Sequence, residues 1–128
     1  GVFHGPDQVG FQCFAQYVPP QKGKREIWHS NRTVIHPDYV GLGLGMRVVN
    51  LTCEHMARTH GYRLMGKFSS GPMIRAVKKD PNWRILKTER RIGRTRRTGV
   101  YAGRPRNFRE NVTTVTVEYV GPGSVAAD

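Results

Sequence analysis

Val34-Ile35-His36-Pro37-Asp38-Tyr39-Val40-Gly41-Leu42-Gly43-Leu44-Gly45-Met46 is the stretch that decides the fold. The β-branched pair Val34-Ile35 favours a strand. Pro37 ends it, because proline cannot donate to a ladder. Three glycines at alternate positions follow, Gly41, Gly43 and Gly45. Glycine reaches φ > 0 and lets another group approach the backbone closely. From Met46 to His60, the residues Met46, Val49, Cys53, Met56 and Ala57 recur at the helical period, with Arg47, Glu54 and Arg58 on the other side. Gly61 suits the position just past a helix end. The stretch reads strand, glycine turn, helix. A helix start offers unpaired N–H groups and the positive end of a dipole. The turn is therefore a cradle for an anion such as pyrophosphate, or an ordinary tight turn, and the glycines alone leave both open.

Upstream, Glu26 to His36 reads as the strand feeding this turn, with Ile27, His29, Asn31, Thr33 and Ile35 on one face. Before it, Val2–His4, the turn signal Gly5-Pro6-Asp7-Gln8 and the alternating run Val9–Val18 predict a hairpin, and 19–25 a polar loop. Downstream, Tyr62–Phe68 reads as a strand. Ser69-Ser70-Gly71-Pro72 is a break, and a short helix follows from Met73 to Lys79, stopped by Asp80-Pro81. Val112–Val120, alternating Val and Thr, is the last strand. A hairpin followed by a strand–helix–strand crossover predicts an α/β (α+β) chain with a mixed sheet.

The 128 residues fit one domain, 1–128, and 38% hydrophobic composition allows a modest core. No run is apolar enough for a membrane span, and no leader pattern is visible. Cys13 and Cys53 both sit in apolar patterns, which predicts buried, reduced thiols and a cytoplasmic setting. His55 and His60 are five apart and do not share a helix face as a metal-binding pair would, so no metal site is expected. The net charge of +12 favours acidic partners: nucleic acid, CoA or an anionic surface. Segment 84–109 carries ten Lys or Arg against one acid, Glu89. It reads as strand ends and a long exposed loop.

Residues 33–61 resemble the acetyl-CoA-binding motif of the GNAT superfamily of N-acetyltransferases: a hydrophobic strand, a Pro, then Gly-x-Gly leading into a helix that ends at Gly. Here these are Pro37, Gly43-Leu44-Gly45 preceded by Gly41, and Gly61. The strand at 62–68 and helix at 73–79 sit where the family has its second βα pair, and the resemblance covers about residues 1–83. It implies an acyl-CoA-dependent N-acetyltransferase. Pantetheine would pair with Thr33, Val34 and Ile35. Pyrophosphate would lie on the backbone of Val40, Gly41, Leu42, Gly43, Leu44, Gly45 and Met46. An oxyanion would be met by a backbone N–H near Ile35.

Three departures from the family pattern stand out. Val40 occupies the motif's Gln/Arg position. The second helix lacks the family's proton-donating Tyr, leaving Tyr101 and Tyr119 as remote candidates. The strand and two helices that usually precede the hairpin are not in this chain, so the expectation is a truncated core or a minimal member that completes itself as a homodimer. Arg32–Tyr39 and Pro81-Asn82-Trp83-Arg84 further resemble the phage Mom-like DNA-modification branch, whose members act on adenine in DNA.

Acyl transfer to an amine needs a neutral amine and a group to take its proton. Glu26 and His29 are the candidate bases, and an ordinary imidazole titrates near ~6.5. A plain half-exposed strand histidine remains the other reading of His29. For the basic segment, Arg90, Arg91, Arg94, Arg96, Arg97, Arg104 and Arg106 are candidate nucleic-acid contacts, with Tyr101 and Phe108 available for base stacking. Attraction of the phosphorylated ADP of CoA, or a solvated loop, are the alternatives. Besides the acetyltransferase, two further functions stand: nucleic-acid modification on the same core, and a CoA-binding module without turnover.

Overall fold

The computed structural model describes residues 1–90 and 112–124. Its strands are β1 (Val2–His4), β2 (Asp7–Ala15), β3 (Ile27–Ile35), β4 (Arg63–Phe68), β5 (Trp83–Arg90) and β6 (Thr113–Tyr119). They form one sheet in the order β1-β2-β3-β4-β6-β5. Only β3 and β4 pair in parallel; every other pairing is antiparallel. Helices α1 (Leu44–His60) and α2 (Gly71–Lys79) provide the crossovers on either side of β4, and a 3-10 turn spans Pro37–Tyr39. This is the expected mixed α/β architecture with one added strand, β5, at the edge. Its cations disguise it in sequence, because nearly all of it faces solvent.

Helix α1 starts at Leu44 rather than Met46, because Gly43 is its left-handed N-cap at φ 74°. It ends where expected: Gly61 takes φ 67° and its amide donates to the Ala57 carbonyl at 2.9 Å. Both helices pack on one face of the sheet. Val49, Cys53 and Ala57 of α1 and Ile74 and Val77 of α2 are buried against Leu64, Phe68, Trp83, Val115, Val117 and Tyr119. Fully burying an aliphatic or aromatic side chain contributes about 1.5–3 kcal/mol, so this cluster is the main source of stability. A polar brace closes one end. Asn50 Nδ2 donates to Asp80 at 2.7 Å and Trp83 Nε1 donates to Asn50 Oδ1 at 2.6 Å, tying α1 to the α2–β5 junction.

The expected alternation along β3 does not hold. Cys13 pairs with Arg32 and Phe14 with Ser30, which leaves Asn31 as an extra residue. Such a bulge reverses the side-chain alternation across it. Directly paired residues share a face, so Ser30, Thr33 and Ile35 lie with Gln12 and Phe14 on the helix side. His29, Arg32 and Val34 lie on the opposite side with Ala15, Cys13 and Phe11. On the helix side, Gln12 Nε2 donates to Ser30 Oγ at 2.8 Å, and the Thr33 hydroxyl donates to Gln12 Oε1. His29 and Thr33, read from sequence as face-mates, therefore point to opposite sides of the sheet.

Candidate functional site

β3 and β4 pair through only four positions, from Ile27↔Arg63 to Ser30↔Gly66. Past that point β3 continues with β2 as far as Ile35, while β4 continues with β6 to Phe68↔Val115. A gap opens between them, with Asn31 at its root. Successive residues of a strand direct their backbone groups to alternate neighbours. Part of the 31–35 backbone, which includes Thr33, Val34 and Ile35, therefore faces the gap with no strand partner among the described residues.

Beyond the gap lies the glycine turn. The Val40 amide is already used, donating to the Pro37 carbonyl at 3.3 Å. Gly41 and Gly43 take φ 90° and 74°, and a β-carbon at either would meet nothing within 4 Å. The start of α1 has no side-chain cap and no acid in its first turn. Its first amides, those of Leu44, Gly45 and Met46, are thus free of side-chain acceptors, with Arg47 beside them. Val40 and Leu42 turn apolar side chains outward, 66% and 69% exposed. The donors, the dipole and the adjacent cation all suit an anion, and the open glycines leave room for one.

On the face away from the helices, a cavity of about 520 Å³ is lined by Tyr17, Val18, His29, Ser30, Asn31 and Lys67. The His29 ring meets Tyr17 edge-on at 5.1 Å, and its Nδ1 is buried without a hydrogen-bond partner. Burial first, and then the Lys67 ammonium, lower the pKa of His29 below the ordinary imidazole value. His29 is therefore a neutral imidazole at neutral pH, with Nε2 the nitrogen left to meet a ligand.

The other candidates separate from this place. Glu26 sits at the start of β3, where its carboxylate accepts from Trp28 Nε1 at 3.1 Å and Gln16 Nε2 at 3.3 Å, and it does not line the cavity. Tyr119 is buried, its hydroxyl donates to the Pro122 carbonyl at 2.9 Å, and burial pushes its pKa to about 12, so it is no proton donor to the gap. Arg90 ends β5, exposed. Arg91, Arg94, Arg96, Arg97, Tyr101, Arg104, Arg106 and Phe108 lie outside the described residues. Sequence reading missed Tyr17 and Lys67. Lys67 alternates with Leu64, Gly66 and Phe68 of the core face, which places it on the His29 side only once the parallel register is known.

No known family's sequence pattern matches the chain, and no curated protein matches it. Solved structures do. The ribosomal-protein-alanine N-acetyltransferase from Brucella melitensis superposes with a TM-score of 0.63 at 12% identity, over 94% of this chain and 66% of its own. The chain thus spans a little under two thirds of that neighbour's length. Among the described residues no helix is long and apolar enough to cross a membrane. A six-stranded mixed sheet opened between its two parallel strands, with a glycine-capped helix at the opening, gives this chain a GNAT-like fold.

Proposed function

We propose that the chain is an acyl-CoA-dependent N-acyltransferase that uses acetyl-CoA. The observation that carries this reading is the gap between β3 and β4 running out onto the start of α1. An extended chain of amides can complete the unpaired backbone at Thr33, Val34 and Ile35, and a pyrophosphate can rest on the amides from Gly41 to Met46. The structural neighbour's activity supports the same class. When bound, acyl-CoA supplies an acyl group activated as a thioester. The chain's own part is to hold it, to offer a backbone N–H near Ile35 to the developing oxyanion, and to manage the acceptor's proton. His29, neutral and facing the cavity at the root of the gap, is the base we favour over Glu26. A lowered pKa makes it a weak base, suited to an amine that arrives uncharged. The cytoplasm, where acyl-CoA is made and used, is the setting this reading implies.

Calorimetry with acetyl-CoA tests the reading. Proline cannot reach the φ of 74° at Gly43, so Gly43→Pro should weaken binding at least about tenfold, roughly 1.4 kcal/mol. Gly23 has a similar φ of 75° in a remote loop with nothing near it, and Gly23→Pro should bind like the parent chain. Equal affinity of Gly43→Pro and the parent, or no binding by the parent, would refute the assignment.

A second reading, a nucleic-acid modification protein on the same core, is favoured by the exposed edge strand β5, which opens the basic segment 84–109 and ends on the exposed Arg90. It requires DNA or RNA binding that falls steeply with salt.

A further inference from the structure

The face of the sheet away from the helices carries five cations between its centre and the β5 edge: Arg32, Arg63, Lys67, Arg84 and Lys87. Pairing places them there. His29 is opposite Met65, Met65 opposite Glu118 and Glu118 opposite Arg84, while Lys67 and Lys87 both oppose Thr116. Three of these cations are occupied. Arg63 and Arg84 both donate to Glu118, and Lys87 is paired with Glu89. Lys67 makes no salt bridge among the described residues, and it is the cation that enters the cavity of His29.

The remaining lining has the same bias. It contains no carboxylate. Asn31 spends its Oδ1 on the Tyr17 hydroxyl at 2.9 Å, which leaves its amide NH₂ as a donor. Lys67 and Asn31 thus present donors and positive charge, next to an imidazole that Lys67 already influences. A cavity of about 520 Å³ has room for a small molecule or the end of a larger one. Such a site repels a simple ammonium and lacks only a negative charge.

We infer that this cavity takes an acceptor whose amine stands beside an anionic group, a phosphate or a carboxylate, and that Lys67 binds that group. The identity of the amine as the acyl acceptor rests on the acyltransferase reading; the anion site does not. Binding follows from charge neutralisation at Lys67 with a hydrogen bond from Asn31 Nδ2. The groups facing His29 are Tyr17, from the chain after β2, and Lys67, from β4. An anion on Lys67 removes its repulsion of a charged imidazole, so it should raise the pKa of His29. The acceptor would then tune the base that serves it.

The test is the pH titration of the His29 ring by NMR, its signal among the five histidines assigned by its loss in His29→Gln. Probes are phosphoethanolamine, glycine and ethanolamine at millimolar concentration. Phosphoethanolamine or glycine should raise the midpoint, ethanolamine should not, and Lys67→Met should abolish the response. A response to phosphoethanolamine alone assigns a phosphate, and to glycine alone a carboxylate. An equal response to ethanolamine, a response surviving in Lys67→Met, or none to any probe overturns the proposal. Acetyl-CoA calorimetry on the same samples keeps the two readings apart. A chain that binds no acetyl-CoA yet shows the Lys67-dependent response retains the anion site and loses acyl transfer.

Discussion

Glu118→Gln should be the most destabilising single change of charge in the described part of the sheet. Glu118 is fully buried near the end of β6, which lies between β4 and β5, and its carboxylate accepts from Arg63 Nε on β4 and from Arg84 Nη2 on β5 at 2.5 Å. It is the one charged residue buried among the described residues. A hydrogen bond to a charged group contributes about 1.5–3 kcal/mol, so the two together amount to about 3–6. The guanidiniums are 40% and 53% exposed, so water takes over part of the loss, leaving about 2–4 kcal/mol. For a chain of this length that lowers Tm by roughly 8–16 °C. Glutamine keeps one carbonyl for one arginine but turns an NH₂ toward the other. Removing Arg63 or Arg84 alone leaves Glu118 with a partner and should be milder, about 1–2 kcal/mol.

The pH dependence carries a definite sign. Burial pulls the carboxyl upward, but the hydrogen bonds and charges of Arg63 and Arg84 outweigh it and hold Glu118 below the usual glutamate range. A depressed folded pKa stabilises fully above the unfolded value near ~4.3 and is lost as pH falls through the folded one. Urea unfolding at pH 7, 4 and 2.5 should therefore show the gap between parent and Glu118→Gln full at pH 7 and shrinking with acid. A gap constant across that range, or Arg63→Gln as damaging as Glu118→Gln, would show that the carboxylate is not held by this pair.

Two further outcomes are expected. A β-carbon on Gly10 would lie 2.5 Å from the Val34 carbonyl oxygen, so Gly10→Ala must push β2 from β3 and should cost about 1–3 kcal/mol. Thermal melts read the loss, and a weaker acetyl-CoA affinity in calorimetry would trace it into the gap. Cys53 is fully buried, and burial pushes its thiol pKa to about 12, whereas Cys13 is half-buried. A thiol reagent on the folded chain should modify Cys13 first and reach Cys53 only on unfolding; simultaneous labelling would contradict this packing.

The strand–turn–helix core was legible because glycine and proline punctuate it. Pro37 does end the strand, and Gly61 does end α1. Elsewhere the local code was silent. A period of two cannot announce an inserted residue, so Asn31 was read in phase and His29 was placed with Thr33. Nor does composition distinguish a charged edge strand from a charged loop, which hid β5. Glu118 looked like an ordinary member of a Val/Thr strand, because the two arginines that allow its burial come from β4 and β5, 55 and 34 residues away. Lys67 joined His29 through a parallel pairing that only tertiary structure sets.

The short β3–β4 seam has a mechanical consequence. It divides the sheet into a leaf of β1, β2 and β3 and a leaf of β4, β6 and β5, stitched by four residue pairs. A notched plate concentrates stress at the notch tip, here Ser30 and Gly66. Helix α1 packs against β2, β3 and β4 and so bridges both leaves as a cross-brace. The stiffness of the opening is then set less by the strands that border it than by Val49, Cys53 and Ala57, the buried side chains through which that brace is fastened.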